Sequence, residues 1–179
     1  MVVSLTLSLA LIGQTSDGLR AGEVGMRLEI AQRGTVMVKL HTRQAPRTTA
    51  RIQELVRQKF YDGQKFFRVE KDPRPFLVQI GDPASRTKPL DDPSMGEGGS
   101  GVTIPFEDSG FQNVEGAVGL ATRGNDPNSG DSQFYLLLSP ARFLDGKYTV
   151  FGQVVSGQSV LEKIERGDVL ARASLVQRP

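Results

Sequence analysis

The chain has no cysteine, and its 179 residues include only one histidine, His41. Without cysteine there can be no disulfide framework, no thiol nucleophile and no thiolate metal site. A Ser-His-Asp triad or a histidine-rich zinc site would have to use His41, which lies in KLHTRQAP at the end of a predicted strand. We favour a solvated turn histidine there, so the chemistry is expected to rest on other side chains.

An excess of one charge is also missing, since 22 basic and 20 acidic residues leave a net charge of +2. This balance gives no electrostatic reason to expect nucleic acid or an anionic membrane as a partner. The hydrophobic share of 38% and the charged share of 23% are typical of a soluble globular protein. The length suits one domain with a core of its own.

Two motifs occur without the context that their usual functions need. GEGGSG, residues 96–101, matches the dinucleotide fingerprint, which works only between a strand and the start of a helix. Here loop-like DDPSM precedes it and strand-like VTIPFED follows. In DPNSGD, residues 126–131, glycine takes the fifth position of a calcium loop, and Leu137 stands where the bidentate glutamate belongs. We therefore predict no cofactor and no metal.

Residues 1–25 open with an apolar run that is too short to span a bilayer. We predict an export signal followed by a polar linker, which would make the protein exported or periplasmic, although no Lys or Arg precedes the run. The alternation of Leu5, Leu7, Leu9 and Leu11 with smaller or polar residues is also typical of a strand. In that alternative the protein is cytoplasmic.

Short strand-like runs dominate residues 26–179, which we assign to a single domain. Two helices are predicted, one in PRTTARIQELVRQKF from Pro46 and one in QSVLEKIERG, residues 158–167. Many short strands with turn signals between them, and only two helices, favour an antiparallel barrel over a βαβ fold. The strand-like runs are MRLEI, TVMVKL, KFFRV, FLVQI, GAVGLAT, SQFYLLLS, YTVFGQVV and DVLARASLV.

Arg68 stands out because it follows Phe66 and Phe67 within the apolar run KFFRV. A guanidinium among apolar side chains is costly unless it is paired or directed at a ligand. Arg68 is therefore the first candidate for a functional residue.

Two glutamines interrupt other apolar strands. Period-2 alternation places Gln79 on one strand face with Leu77, and Gln133 on one face with Tyr135. The alternative interpretation is that these are sheet edges with solvated amides. The same alternation assigns a common opposite face to Phe76, Val78 and Ile80.

Three blocks of the sequence resemble, in order, the signature blocks of the cyclophilin family of peptidyl-prolyl cis-trans isomerases. They are FFRVE…PFLVQIGDP, GLATRGNDPNSGDSQFYLLL and FLDGKYTVFGQV, and the resemblance extends from about Met26 to Val176. It implies a mainly β fold, a closed eight-stranded antiparallel barrel capped by two α-helices, with the site on its outer face. It also implies a monomer that isomerises X–Pro bonds in proline-containing peptides and unfolded chains, assists protein folding and needs no cofactor.

The resemblance carries roles to individual residues. Arg68 and Gln79 match the catalytic arginine and its glutamine. The substrate-binding positions are matched by Phe67, Phe76, Leu77, Ala121, Thr122, Gln133, Tyr135, Phe143, Leu144 and Tyr148.

The sequence also departs from the family pattern. Phe67 and Tyr148 stand where relatives carry histidines, and Phe143 replaces a rim tryptophan, so cyclosporin is expected to bind weakly. The chain between Arg68 and Phe76 is longer than usual and is predicted to form a tip from Glu70 to Pro75. An active isomerase is the leading hypothesis, while a proline-peptide-binding module with little turnover and a structural barrel without a site are the alternatives.

Overall fold

The computed structural model describes residues 17–179, so the predicted export signal in residues 1–16 lies outside the described part. Eight strands and two α-helices follow one another within residues 17–179. They are β1 (Val24–Ile30), β2 (Gly34–Leu40), α1 (Pro46–Arg57), β3 (Arg68–Glu70), β4 (Leu77–Ile80), β5 (Ala117–Leu120), β6 (Phe134–Leu137), β7 (Val150–Ser156), α2 (Gln158–Leu161) and β8 (Leu170–Gln177).

The eight strands form one antiparallel sheet in the order β3-β4-β6-β5-β7-β2-β1-β8. The sheet is a half-barrel with β3 and β8 as its edges, so the prediction of a closed barrel is wrong. An isolated bridge at Lys65 and Val169 joins the segments that precede the two edge strands. The backbone hydrogen bonds that accompany it end at Phe66, whose N–H donates to Asp168 O over 3.0 Å. Because β3 begins two residues later and has only three residues, the ladder does not continue between the edges.

One face of the sheet packs into the main core. The inward side chains of β4 and β6 are fully buried there, together with large residues from the other strands. The largest fully buried side chains include Tyr61, Phe66, Phe134, Phe151, Met26, Leu28, Ile52 and Leu120.

Helix α1 begins with Pro46 and buries one face against this core. Its N-terminus is capped from a distant loop, since the carboxylate of Glu107 accepts hydrogen bonds from the N–H groups of Arg47 and Thr48 over 3.0 and 2.8 Å. Such a cap satisfies N–H groups that the first turn of a helix leaves unpaired.

Helix α2 is shorter than the sequence predicts. It ends at Leu161, whereas the apolar periodicity extends to Ile164, which is still buried. The helix starts after Gly157, which has a positive φ of 87° and supplies no capping side chain.

The described N-terminal residues are part of the fold. Leu19 is fully buried, Asp17 pairs with Arg178, and β1 begins at Val24, within the stretch assigned to a polar linker. Among residues 17–179, no helix combines the length and the apolarity needed to cross a bilayer.

Candidate active site

Three strands bring the candidate residues into one row on the outer face of the sheet. Arg68 of β3 pairs with Gln79 of β4, and Gln79 pairs with Tyr135 of β6. Residues that pair directly across neighbouring strands project from the same face. The register therefore explains why an arginine, a glutamine and an aromatic ring, far apart in sequence, meet on one surface.

A chain of side-chain hydrogen bonds leads away from Arg68. Its Nη1 donates to Gln79 Oε1 over 3.2 Å, and Gln79 Nε2 donates to Gln133 Oε1 over 2.9 Å. Gln133 Nε2 in turn donates to the carbonyl oxygens of Gly96 and Gly98, over 2.6 and 2.7 Å. Both glutamines are buried.

The two backbone carbonyls set the direction of this chain. A carbonyl can only accept, so Gln133 must turn its NH₂ group toward Gly96 and Gly98 and its oxygen toward Gln79. Gln79 must then donate to Gln133, which leaves its own oxygen to face Arg68. The alternative interpretation of solvated edge amides is wrong for both glutamines.

The GEGGSG segment supplies those carbonyls, and two buried aspartates hold it in place. Asp82 accepts from the N–H groups of Gly96 and Gly98, and Asp131 accepts from those of Ser100 and Gly101. A Cβ added at Gly98 would lie 2.2 Å from Asp82 Oδ1. Here the glycine lets backbone approach a buried carboxylate.

An apolar pocket of about 220 Å³ lies beside the Arg68–Gln79 pair. Its aromatic walls are mutually packed, with ring centroids 5.8 Å apart for Phe76 and Phe143 and 5.9 Å apart for Tyr135 and Tyr148. The lining residues are Arg68, Phe76, Leu77, Gln79, Ala121, Thr122, Tyr135, Phe143, Leu144 and Tyr148.

Phe76 reaches this pocket because it precedes the regular strand. The ladder of β4 starts at Leu77, and Phe76 packs with the outer cluster rather than with Val78 and Ile80. The strand alternation was therefore wrong for Phe76. Its N–H donates to Glu70 O over 2.9 Å, and its carbonyl accepts from Leu138 N over 2.8 Å, which fixes its backbone.

Tyr135 is anchored at the base of the pocket by residues that the sequence did not indicate. Its hydroxyl donates to Asn113 Oδ1 over 2.7 Å, and Asn113 Nδ2 donates to Asp145 Oδ1 over 3.1 Å. Burial, reinforced by nearby Tyr148 and Asp145, raises the pKa of Tyr135 well above its ordinary value. The ring passes so close to Gly119 that a Cβ there would lie 2.1 Å from Tyr135 Cζ. Asn113 and Asp145 lie in loops with no periodic pattern, so no local signal identified them.

The structure brings together all but two of the sequence-predicted site residues in this pocket. Gln133 lines an adjoining polar depression of about 160 Å³ that shares Gln79, Ala121 and Thr122 with the pocket. Phe67 is 7% exposed and lies beside Gly96, outside the lining of the pocket.

Comparisons with known proteins identify the family of this chain. The family model described as cyclophilin type peptidyl-prolyl cis-trans isomerase matches residues 25–178. The chain belongs to this family. As a member of it, the protein is a peptidyl-prolyl cis-trans isomerase.

Relatives from distant organisms share this similarity. A probable peptidyl-prolyl cis-trans isomerase of Brucella suis is 39% identical over 137 residues, which cover 75% of this chain and 68% of the relative. A peptidyl-prolyl cis-trans isomerase of Schizosaccharomyces pombe is 35% identical over 134 residues, covering 73% and 79%. A solved Cryptosporidium parvum cyclophilin type isomerase superposes with a TM-score of 0.74 at 21% identity, covering 88% of this chain and 99% of that one. The same protein, in the presence of the dipeptide Ala-Pro, gives a TM-score of 0.73.

His41 differs from its prediction. It is 7% exposed and stacks on Phe111 with 3.8 Å between ring centroids, so it is not a solvated turn residue. Burial, assisted by the positive charge of Lys39, lowers the pKa of His41 to about 4. His41 does not line the pocket of this isomerase.

Proposed function

We propose that Arg68 and Gln79 carry the isomerase reaction and that the adjacent apolar pocket holds the proline ring. The observation that supports this most is the position of the Arg68 guanidinium at the wall of the pocket, with Gln79 oriented toward it by the buried amide of Gln133 and, through that amide, by two backbone carbonyls.

The reaction itself requires little chemistry. An X–Pro bond rotates against a barrier of about 18–20 kcal/mol because the nitrogen lone pair is delocalised into the carbonyl. A catalyst needs only to bind the twisted amide more tightly than either planar form. This suits a site whose polar side chains carry a guanidinium, an amide and the hydroxyls of Thr122, Tyr135 and Tyr148.

Arg68 has the chemistry that the twisted state needs. As the bond twists, the lone pair returns to the prolyl nitrogen, which becomes a hydrogen-bond acceptor. A guanidinium remains charged and donates in fixed directions, so it stabilises the twisted state more than the planar one. Among residues 17–179 no hydrogen bond to a protein group occupies Arg68 Nη2. That nitrogen is the donor we assign to the substrate.

In this proposal, the side chains that line the pocket contact and hold the proline ring. Leu77 and Tyr135 form its buried base, while Phe143 is 64% exposed at the rim. Ala121 and Thr122 line both the pocket and the neighbouring polar depression, where the peptide backbone would pass. The Cryptosporidium parvum isomerase was solved in the presence of the dipeptide Ala-Pro, which supports our proposal that this pocket takes an X–Pro segment.

The partners that fit this site are proline-containing peptides and unfolded protein chains, bound by a monomer without a cofactor. Cyclosporin should bind weakly because Phe143 has no N–H to donate. Nucleic acid is not expected as a partner, since the net charge is only +2. Export to the periplasm remains our proposal for the location, with the cytoplasm as the alternative.

The test is a protease-coupled cis/trans assay with short X–Pro peptides on the purified protein, supported by NMR line-shape exchange. Catalysed exchange that is lost in Arg68→Ala is the expected result. Catalysed exchange that survives Arg68→Ala, with the peptide still bound tightly in the pocket, would contradict the assignment of the reaction to Arg68.

A further inference from the structure

Arg68 is held on two sides, by Gln79 and by Glu70, and Glu70 is not among the residues that line the pocket. Its Nε donates to Glu70 Oε1 over 2.6 Å, while its Nη1 donates to Gln79 Oε1 over 3.2 Å. We propose that Glu70 is a positioning residue, which fixes the plane of the Arg68 guanidinium for the reaction. This inference rests on the role proposed above for Arg68.

The backbone places Glu70 where this contact can form. Residues two apart on a strand project from the same face, so Glu70 lies beside Arg68 while Val69 between them faces the core. Glu70 pairs with Leu77 at the end of the β3–β4 ladder, and its carbonyl accepts the N–H of Phe76 over 2.9 Å. The long tip that follows, residues 71–75, therefore begins only after Glu70 has been fixed.

Two contacts are enough to orient the whole guanidinium. The group is planar and carries five N–H donors in a rigid fork. Glu70 takes the single donor on Nε, and Gln79 takes one donor on Nη1. Since two of the three nitrogens are held, the position of the third, Nη2, follows from the rigid geometry.

Glu70 is needed because the other restraints on Arg68 are weak. The Arg68 side chain is 45% exposed, and it extends from a strand of only three residues. An arginine side chain has many rotamers. Its hydrogen bond to Gln79 has an uncharged acceptor and is longer than its hydrogen bond to Glu70. Without Glu70, the guanidinium could turn about its remaining hydrogen bond and leave the pocket wall.

The Glu70 carboxylate also has an electrostatic effect that opposes its positioning effect, and the two effects predict opposite changes in rate. A negative charge beside Arg68 offsets part of its positive charge and weakens it as an electrostatic catalyst. If that effect dominated, removing the carboxylate would speed the reaction. If positioning dominates, as we infer, removal slows it.

The experiment compares Glu70→Ala and Glu70→Gln with the wild-type protein in the isomerase assay. We expect Glu70→Ala to lower kcat by about three- to tenfold, the range of one hydrogen bond, with little change in KM. Glu70→Gln should recover most of kcat because its amide oxygen can still accept from Nε. An unchanged or higher kcat in Glu70→Ala would overturn the proposal.

A matched control comes from the neighbouring ion pair of Lys71 and Glu165, whose atoms are 2.9 Å apart. It has the same kind of exposed charged partners, but neither residue lines the pocket. Glu165→Ala should therefore leave kcat and KM at wild-type values. A loss equal to that of Glu70→Ala would show a general effect of surface charge and would overturn the positioning role.

The Arg68→Ala background separates this proposal from the assignment of Arg68. There, adding Glu70→Ala should cause no further loss, because Glu70 acts only through the guanidinium. An additional loss would overturn the positioning role while leaving the assignment of Arg68 intact. Full activity in Arg68→Ala alone would instead refute the proposed function. A readout independent of activity is the Arg68 Nε–H signal in NMR, whose solvent exchange should be faster in Glu70→Ala than in wild type.

Discussion

Strands β4 and β6 carry two faces with the same burial and different chemistry. The inner residues Val78, Ile80, Phe134 and Leu136 are each 0% exposed and apolar. On the outer face, Leu77, Gln79, Tyr135 and Leu137 are between 0 and 8% exposed, yet they include an amide and a phenol.

This comparison shows that burial alone does not locate the site. The inner face excludes water and needs only shape, because its side chains have no polar groups to satisfy. On the outer face, the buried polar groups of Gln79 and Tyr135 are satisfied by hydrogen bonds to Gln133 and Asn113. Substitutions on the inner face should therefore affect stability, and substitutions on the outer face should affect activity.

The largest expected effect is on the outer face at Arg68. Arg68→Ala should lower kcat/KM by about 10²–10³-fold, the cost of one preorganised donor. Lysine should not restore activity, since it lacks the planar fork. The free energy of unfolding should change by less than about 1 kcal/mol, because the ion pair to Glu70 is exposed.

Isomerase assays and urea denaturation on the same protein samples check both halves of this prediction. Arg74→Ala, in the exposed tip nearby, is the control and should keep wild-type activity. Activity that survived Arg68→Ala would contradict the division between the two faces.

The inner face provides the opposite test. Leu136→Ala should destabilise the protein by about 2–5 kcal/mol, because a buried leucine leaves a cavity. The activity of the folded fraction should stay within about threefold of wild type, a change of less than 1 kcal/mol in the barrier. Leu77→Ala on the outer face is the matched variant. It should lower kcat/KM in addition to destabilising the protein, since Leu77 lines the pocket. Equal activity losses in the two variants would show that the faces are not separable.

At the rim of the pocket, Phe143→Trp tests whether adding a hydrogen-bond donor to an apolar position strengthens the binding of an inhibitor. Phe143 is 64% exposed and fills the rim without a donor. An indole N–H would add a hydrogen bond and more buried area, so cyclosporin inhibition should strengthen by roughly 10–100-fold. Peptide turnover should change much less. Equal inhibition constants in the two proteins would assign control of inhibitor access to Tyr148 or to the tip at residues 71–75.

A smaller effect, on the pH dependence of stability, is expected at His41, which is buried but lies outside the pocket. Its pKa in the folded protein is about 4, lowered by burial and by Lys39 from an ordinary 6.5. Between these values the unfolded chain binds a proton that the folded protein does not, so stability falls as the pH falls through this window. Between about pH 6.5 and 5, His41→Gln should remove about 1–2 kcal/mol of this dependence. Denaturation of both proteins at several pH values measures it, and identical pH dependence would contradict the buried position.

The smallest expected effect is that of pH on catalysis. An arginine guanidinium stays protonated, and burial raises the pKa of Tyr135, so no proposed catalytic or pocket-base group titrates between about pH 6 and 9. We expect a flat profile of kcat/KM in that range. A bell-shaped profile would reveal an acid or base in the site that neither face accounts for.

Local patterns in the sequence were sufficient for several of these features. The alternation in FLVQI and SQFYLLL grouped Gln79 with Leu77 and Gln133 with Tyr135, and the amphipathic pattern after Pro46 identified α1. The same alternation failed for Phe76, because that residue lies just outside the paired part of β4. A periodic pattern cannot indicate where pairing stops.

By itself, the sequence determined the family through its three signature blocks, while its local patterns favoured a mainly antiparallel fold and singled out Arg68 after two phenylalanines. The local patterns depend on neighbouring residues, since strand alternation follows from the backbone geometry of a few consecutive positions. Only the tertiary structure decided that the half-barrel stays open, that Gly96 and Gly98 orient Gln133, and that His41 is buried. Each of these depends on groups from distant parts of the chain. The Gln133 bonds span 37 and 35 residues, and no local period relates positions so far apart.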